Sequence, residues 1–144
     1  GNMNKKEFDK INEVESFLYN YKSIKLAIEN LKMELATMDE PSISAIQYKE
    51  CTGKTNKFNS DVENKILQKE LLESRIEHME IKIKQIDKAL SILPDIEREI
   101  IQYRYIEGKN YYEFTYKIYK SERQARRLKN KALQKIVIVF FGIE

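Results

Sequence analysis

Apolar positions recur at helical spacing along most of this chain. Val14, Phe17, Tyr21, Ile24, Ile28, Leu31, Leu35 and Met38 follow one another in a 3-4-3-4-3-4-3 order. Heptad spacing sustained over that length marks a seam against a partner helix rather than an ordinary amphipathic surface. Phe8, Ile11 and Leu18 add a shorter second stripe. The pattern predicts one long helix from residue 4 to about residue 38. Periodicity stops over residues 39–60, where Pro41, Gly53 and many Ser, Thr and Asn residues read as a connector. It resumes with Leu72, Ile76, Met79, Ile83, Ile86, Leu90 and Leu93. This predicts a second long helix, capped by Ser60 or Asp61 with Glu63 placed for a capping box, of roughly 32 residues or ~48 Å. Neither long helix has a full set of partners in itself, because helices gain most of their stability by burying an apolar face. An antiparallel hairpin satisfies both; a seam shared between chains is the alternative.

Past Leu93 the pattern shortens. Pro94 belongs in a first helical turn, and Asp95, Glu97 and Glu99 complement the positive end of a helix carrying Ile96, Ile100, Ile101 and Tyr105. Gly108 is placed to end it in a left-handed conformation. A short helix from Tyr111 to about Tyr119 buries Phe114 and Ile118, and a turn at Tyr119 and Lys120 leads to Ser121, a good N-cap. In the helix that follows, Ala125, Leu128 and Ala132 share one face. Arg123, Arg127, Asn130 and Gln134 point the other way, flanked by Gln124, Arg126 and Lys131. Two short helices joined by a tight turn, the second basic on its outer face, form the helix-turn-helix pattern.

Charge sharpens that reading. From Lys117 to Lys135 there are eight Lys or Arg residues and one acid, Glu122, a local net of +7. The whole chain carries only +3, so its positive potential belongs to one helix. A run of Lys and Arg is more often a solvated face than a site; the surrounding helix-turn-helix pattern is what favours nucleic acid. Arg, Asn and Gln match base edges in the major groove, and Arg and Lys neutralise phosphates. On this basis Arg123, Gln124, Arg127 and Asn130 read bases. Lys120, Arg126, Lys129 and Lys131 hold phosphates, with Ser121 capping the helix that presents them.

These residues also carry a family resemblance. Leu93-Pro94, Glu97-Arg98-Glu99-Ile100-Ile101, Arg104-Tyr105, Glu107-Gly108, Glu113-Phe114 and the run from Ser121 to Leu133 resemble region 4 of bacterial sigma factors. The resemblance implies a helix-turn-helix of the kind that reads the −35 promoter element. That family usually has Gly in the turn, where this chain has Tyr119, and a small Ala in the first helix, where it has Thr115. No stretch reads as a counterpart of sigma region 2. A second resemblance spans most of residues 40–136. Ile46-Gln47-Tyr48, Gly53-Lys54-Thr55-Asn56 and Ser60-Asp61-Val62-Glu63-Asn64, ahead of a long helix and a sigma-like end, are similar to the RinA/ArpU group of phage late transcriptional regulators. It implies sequence-specific DNA binding that turns on late genes in a bacterial host.

Other chemistry is scarce. Gly53-Lys54-Thr55 has the end of a P-loop but lacks its first glycine, since position 48 is Tyr. His78 has no His or Cys beside it to complete a metal set. Glu73, Glu77 and Glu80 are interleaved with Lys69, Arg75, Lys82 and Lys84, which reads as helix-surface charge rather than acid–base catalysis. Cys51, the single cysteine, can form no internal disulfide and has no activating pattern around it. Lys49, Lys54 and Lys57 in the connector read as a solvated stretch before they read as a DNA contact. The run from Ile136 to Phe141 is far short of the ~20 apolar residues a membrane helix needs. It is also too apolar to stay in water, and it must pack on the long helices or a second subunit. Charged residues at 34% with four glycines and two prolines fit a helix-rich fold. Gly1-Asn2 ahead of Met3 reads as a tag remnant and is set aside.

The expectation is an all-α protein of two parts. Residues 3–92 form a long helical hairpin or coiled coil, with connector 39–60, that sets the oligomeric state, a dimer before larger rings. Residues 93–144 form a sigma region 4-like helix-turn-helix domain. It is expected to be a cytoplasmic phage or prophage transcription regulator, not an enzyme, with no metal or cofactor. Its partner is double-stranded DNA, and RNA polymerase is a second candidate. The rival readings are a small terminase subunit-like packaging protein and an interaction module that acts on RNA polymerase without DNA.

Overall fold

The computed structural model describes residues 4–38 and 55–143, and among these every regular element is helical. Six α-helices run in order: α1 Lys5–Tyr19, α2 Tyr21–Met38, α3 Thr55–Ser91, α4 Asp95–Ile101, α5 Tyr111–Phe114 and α6 Glu122–Phe141. A π-helical turn, Gln102–Ile106, follows α4 directly. The chain divides into two compact units. One takes the chain up to Lys25 and from Lys82 onward; the other spans Leu26–Ile81.

Local sequence explains the element ends, with three departures from expectation. The first long helix is interrupted at Asn20, whose side-chain amide donates to the Ser16 carbonyl at 2.8 Å. An Asn that bonds its own backbone competes with the helical ladder, and here it separates α1 from α2. Helix α3 starts at Thr55, so neither Ser60 nor Asp61 is its cap, and it runs 37 residues. No glycine or proline lies between Thr55 and Ser91 to stop it, and a solvent-exposed Ser60 is tolerated inside a helix. Pro94 is the N-cap of α4 rather than its first helical residue, with an extended ψ of 150°. Residues 39–54 of the expected connector, with Lys49, Cys51 and Lys54, lie outside the described residues.

In the unit spanning Leu26–Ile81, Ile28 on α2 and Leu72 and Ile76 on α3 are buried. Lys32 pairs with Glu80 at 3.3 Å, while Glu34 and Met38 border a groove shared with Gln68, Leu71, Leu72 and Arg75. Rising numbers on α2 meet falling numbers on α3, so these two segments run antiparallel.

The other unit holds two cores. The larger joins Val14 and Leu18 of α1 to Ile86, Ala89 and Leu90 of α3 and to Ala132, Leu133 and Ile136 of α6. The smaller gathers Ile100, Tyr111, Phe114, Ile118 and Ala125. Helix α1 therefore belongs with the C-terminal helices, and the division does not fall at residue 92. The apolar end of α6 is part of the reason. Phe140 stacks on Phe17 with centroids 6.2 Å apart, and Lys82 lies over both rings at 5.6 and 5.8 Å. The run thus continues α6 and packs against α1, although Ile138, Val139 and Phe141 stay exposed.

Arg98 ties the end of α3 to α4. Its Nε donates to the Leu90 carbonyl at 2.9 Å, and one terminal nitrogen donates to Leu93 at 2.8 Å and Ser91 at 3.3 Å. The last carbonyls of a helix lack intrahelical partners and carry its negative dipole end, so a guanidinium fork satisfies both needs. Asp95 accepts the remaining bond at 3.1 Å. Replacing Arg98 by Met should therefore lower the unfolding free energy by about 1.5–3 kcal/mol, the range for hydrogen bonds to a charged group. Urea titration checks this as a lower midpoint at unchanged slope; an unchanged midpoint would show that the cap contributes nothing.

Candidate nucleic-acid interface

Helix α6 begins at Ser121, whose hydroxyl accepts from the Gln124 N–H at 3.1 Å while Gln124 Oε1 accepts from the Ser121 N–H at 2.9 Å. This reciprocal box fixes the first turn. Ala125, Ala132, Leu133 and Ile136 then face inward and are buried. Arg123, Arg127, Asn130, Lys131 and Gln134 are exposed on the outside, as the spacing predicts. Among the described residues neither Arg123 nor Arg127 is in an ion pair.

The remaining predicted site residues divide. Lys120 is exposed just before the helix. Gln124 is exposed, yet its carbonyl is committed to the capping box, which leaves its amide N–H groups for an outside acceptor. Arg126 pairs with Glu122 one turn earlier at 2.8 Å and lies over the Tyr111 ring at 4.4 Å. Its pKa is raised, first by the bond to Glu122. Arg104 approaches the same ring at 5.2 Å and donates to the Lys109 carbonyl at 3.1 Å. The two guanidiniums therefore hold Tyr111 and fix where α5 starts. The Tyr111 phenol is raised by burial, against the lowering pull of both arginines. Lys129 is half-buried; desolvation lowers its pKa, and Glu15 only partly opposes this. It is the member of the predicted phosphate set that α6 turns toward the protein. Lys135, left out of that set, pairs with Glu97 at 2.8 Å. Glu97 is 2% exposed, so this pair pins α6 to α4 from within.

The corner before α6 depends on Tyr119. Helix α5 is a single turn whose cap at Asn110 forms a second capping box with Glu113. Looser turns carry the chain on from Thr115 to Tyr119, where a continuous helix was expected. The Lys120 N–H donates to the Thr115 carbonyl at 3.2 Å, and Tyr119 has φ 57°. A six-residue turn closed by such a bond over a left-handed residue has the form of the Schellman stop, usually built on glycine. Position 119 is thus left-handed with a tyrosine in it. Its ring stands in solvent, 91% exposed, so the cost of the conformation is local, between its own Cβ and the backbone. Tyr112 and Tyr116 are exposed too, whereas Tyr105 and Tyr111 are buried.

Arg98, Lys135 and the Arg104–Tyr111–Arg126 stack were not singled out from the sequence as structural supports. Apart from the Arg98–Asp95 bond, each joins residues at least five apart, and no spacing rule selects such partners. The one available signal was Glu97, an acid on the same helical side as Ile100 and Ile101, which needed a buried cation.

Residues 8–137 match a family described as a protein of unknown function (DUF722), and the chain belongs to that family. No curated protein and no solved structure matches it. Among the described residues no helix is long and apolar enough to cross a membrane.

A left-handed tyrosine costs about 1–2 kcal/mol relative to an unstrained residue, and glycine removes that term while adding about 0.5–1 kcal/mol of backbone entropy loss. Tyr119→Gly should therefore raise stability by roughly 0.5–1 kcal/mol. A thermal melt showing a lower midpoint would contradict the left-handed corner.

Proposed function

We propose that the protein is a sequence-specific DNA-binding regulator of transcription, of the phage or prophage late-gene activator type, in which α5, the corner at Tyr119 and α6 act as a sigma region 4-like helix-turn-helix. The observation that carries this reading is the outer face of α6. Arg123, Arg127, Asn130, Lys131 and Gln134 stand exposed over three turns, and the opposite face is locked into both cores. A recognition helix needs that arrangement: rigid backing, with forked and amide donors aimed outward. In this reading Lys120 and Lys131 would hold phosphates, Arg123, Arg127 and Asn130 would meet base edges, and Gln124 would offer only its amide N–H groups. Arg126 and Lys129 have duties inside the protein and contribute less than the sequence suggests. The long helices would set the oligomeric state and, through it, the spacing of half-sites.

Selection of bound duplexes from a random pool tests this directly. Against the selected site, Arg127→Ala should lose about 1–3 kcal/mol and relax specificity at one position, whereas Lys131→Ala should weaken all duplexes about equally and make the salt dependence shallower. Arg127→Ala binding as tightly as the unaltered chain would remove the base-reading assignment. No salt-dependent binding to any duplex would instead favour a module that acts on RNA polymerase alone, and rings of eight or more chains would favour DNA packaging.

A further inference from the structure

Helix α3 carries a second apolar stripe that none of the other described residues covers. Leu67, Leu71, Ser74, His78 and Ile81 follow one another at 4-3-4-3 spacing. At ~100° per residue this stripe lies roughly 160° around the helix from Leu72 and Ile76, which are buried against α2. Leu67, Leu71 and Ile81 are 54%, 58% and 44% exposed, and Ser74 and His78 are exposed as well. Three large aliphatic side chains in heptad register on the outside of one helix have the form of half a coiled-coil seam. A hollow of about 360 Å³, bordered by Ser74, Arg75, His78 and Met79, interrupts the stripe between Leu71 and Ile81.

The charges beside the stripe identify what covers it. On one side stand Glu63, Glu70 and Glu77; on the other stand Gln68 and Arg75, all exposed. In a parallel pair of identical helices, each residue on the first side faces the residue five positions further on in its partner. Glu70 then meets the second copy's position 75, an arginine, and Glu63 meets position 68, a glutamine. In an antiparallel pair, the glutamate side would face its own copy, and like charges would oppose one another along its length. We infer that this stripe is a self-association seam: two copies of the chain pair through α3, parallel and in register, with Leu71 and His78 at one core position of the heptad and Leu67, Ser74 and Ile81 at the other. This does not depend on whether the protein binds DNA.

Sedimentation equilibrium of the full chain should give twice the chain mass at high micromolar concentration. Leu71→Glu should return it to a single chain with an unchanged helical circular dichroism spectrum. His78→Leu should tighten the dimer roughly tenfold, because it replaces a polar group in an apolar seam. In a Cys51→Ser background, Ser74→Cys and, separately, Leu67→Cys should form interchain disulfides under mild oxidation, since only the parallel register brings equal positions together at both the middle and the end of the stripe. A chain that stays single, or a dimer that survives Leu71→Glu, would overturn the proposal. So would a dimer in which either disulfide fails to form. If Leu71→Glu lost its helicity, the His78→Leu comparison would decide, and unchanged affinity there would overturn the seam.

Discussion

Burial of one narrow face of α6 is the constraint on which its unit depends. Ala125 sits in the smaller core and Ala132, Leu133 and Ile136 in the larger, so the same helix closes both. Two of these residues are alanines with no exposed surface, which lets α4 and α1 approach the α6 backbone closely. Fixing that face leaves no freedom for the rest. Every residue a half-turn away must point out, and those are Arg123, Arg127, Asn130, Lys131 and Gln134. The Lys135–Glu97 pair adds a directional restraint, because a buried carboxylate tolerates few positions for its cation.

A second layer of polar contacts sets the angles at which helices enter this core. Arg98 closes the end of α3, and a π turn after α4 lets Glu107 N–H donate to the Gln102 carbonyl at 2.8 Å. Tyr111 is held between Arg104 and Arg126, and Tyr105 donates to Glu15 at 2.7 Å, joining the π turn to α1. Burial and that bond both hold the Tyr105 phenol protonated well above the ordinary tyrosine range. These contacts use charged and phenolic groups whose cost of burial is met by specific partners, which favours one packing over its neighbours.

Much of this was legible in the sequence because it follows from period. The seams through Val14, Ile28, Leu72, Ile76, Ile83 and Ile86, the inward side of α6, the Ser121 cap and the left-handed Gly108 all come from spacing and local chemistry. What was not legible depends on long-range partners. Nothing in the α1 stripe says that Val14 and Leu18 pack against Ala132 and Ile136 rather than only against the other long helix. Arg126 and Lys129 lie on the basic helix just as Arg127 and Lys131 do. Only tertiary packing distinguishes a cation lying over a buried tyrosine, or one half-buried near Glu15, from one facing solvent. The start of α3 was misplaced because Ser60 and Asp61 have the right chemistry for a cap and sit inside a helix all the same.

The central claim is that the outward side of α6 is the surface that meets a duplex. Its most direct test is to follow the backbone amide resonances of the isotope-labelled chain during titration with mixed-sequence double-stranded DNA at low salt. The account predicts shifts concentrated from Lys120 to Gln134, on the residues of the outward side and the corner before it. Shifts confined to the helices between Leu26 and Ile81, or none at any DNA concentration, would contradict it.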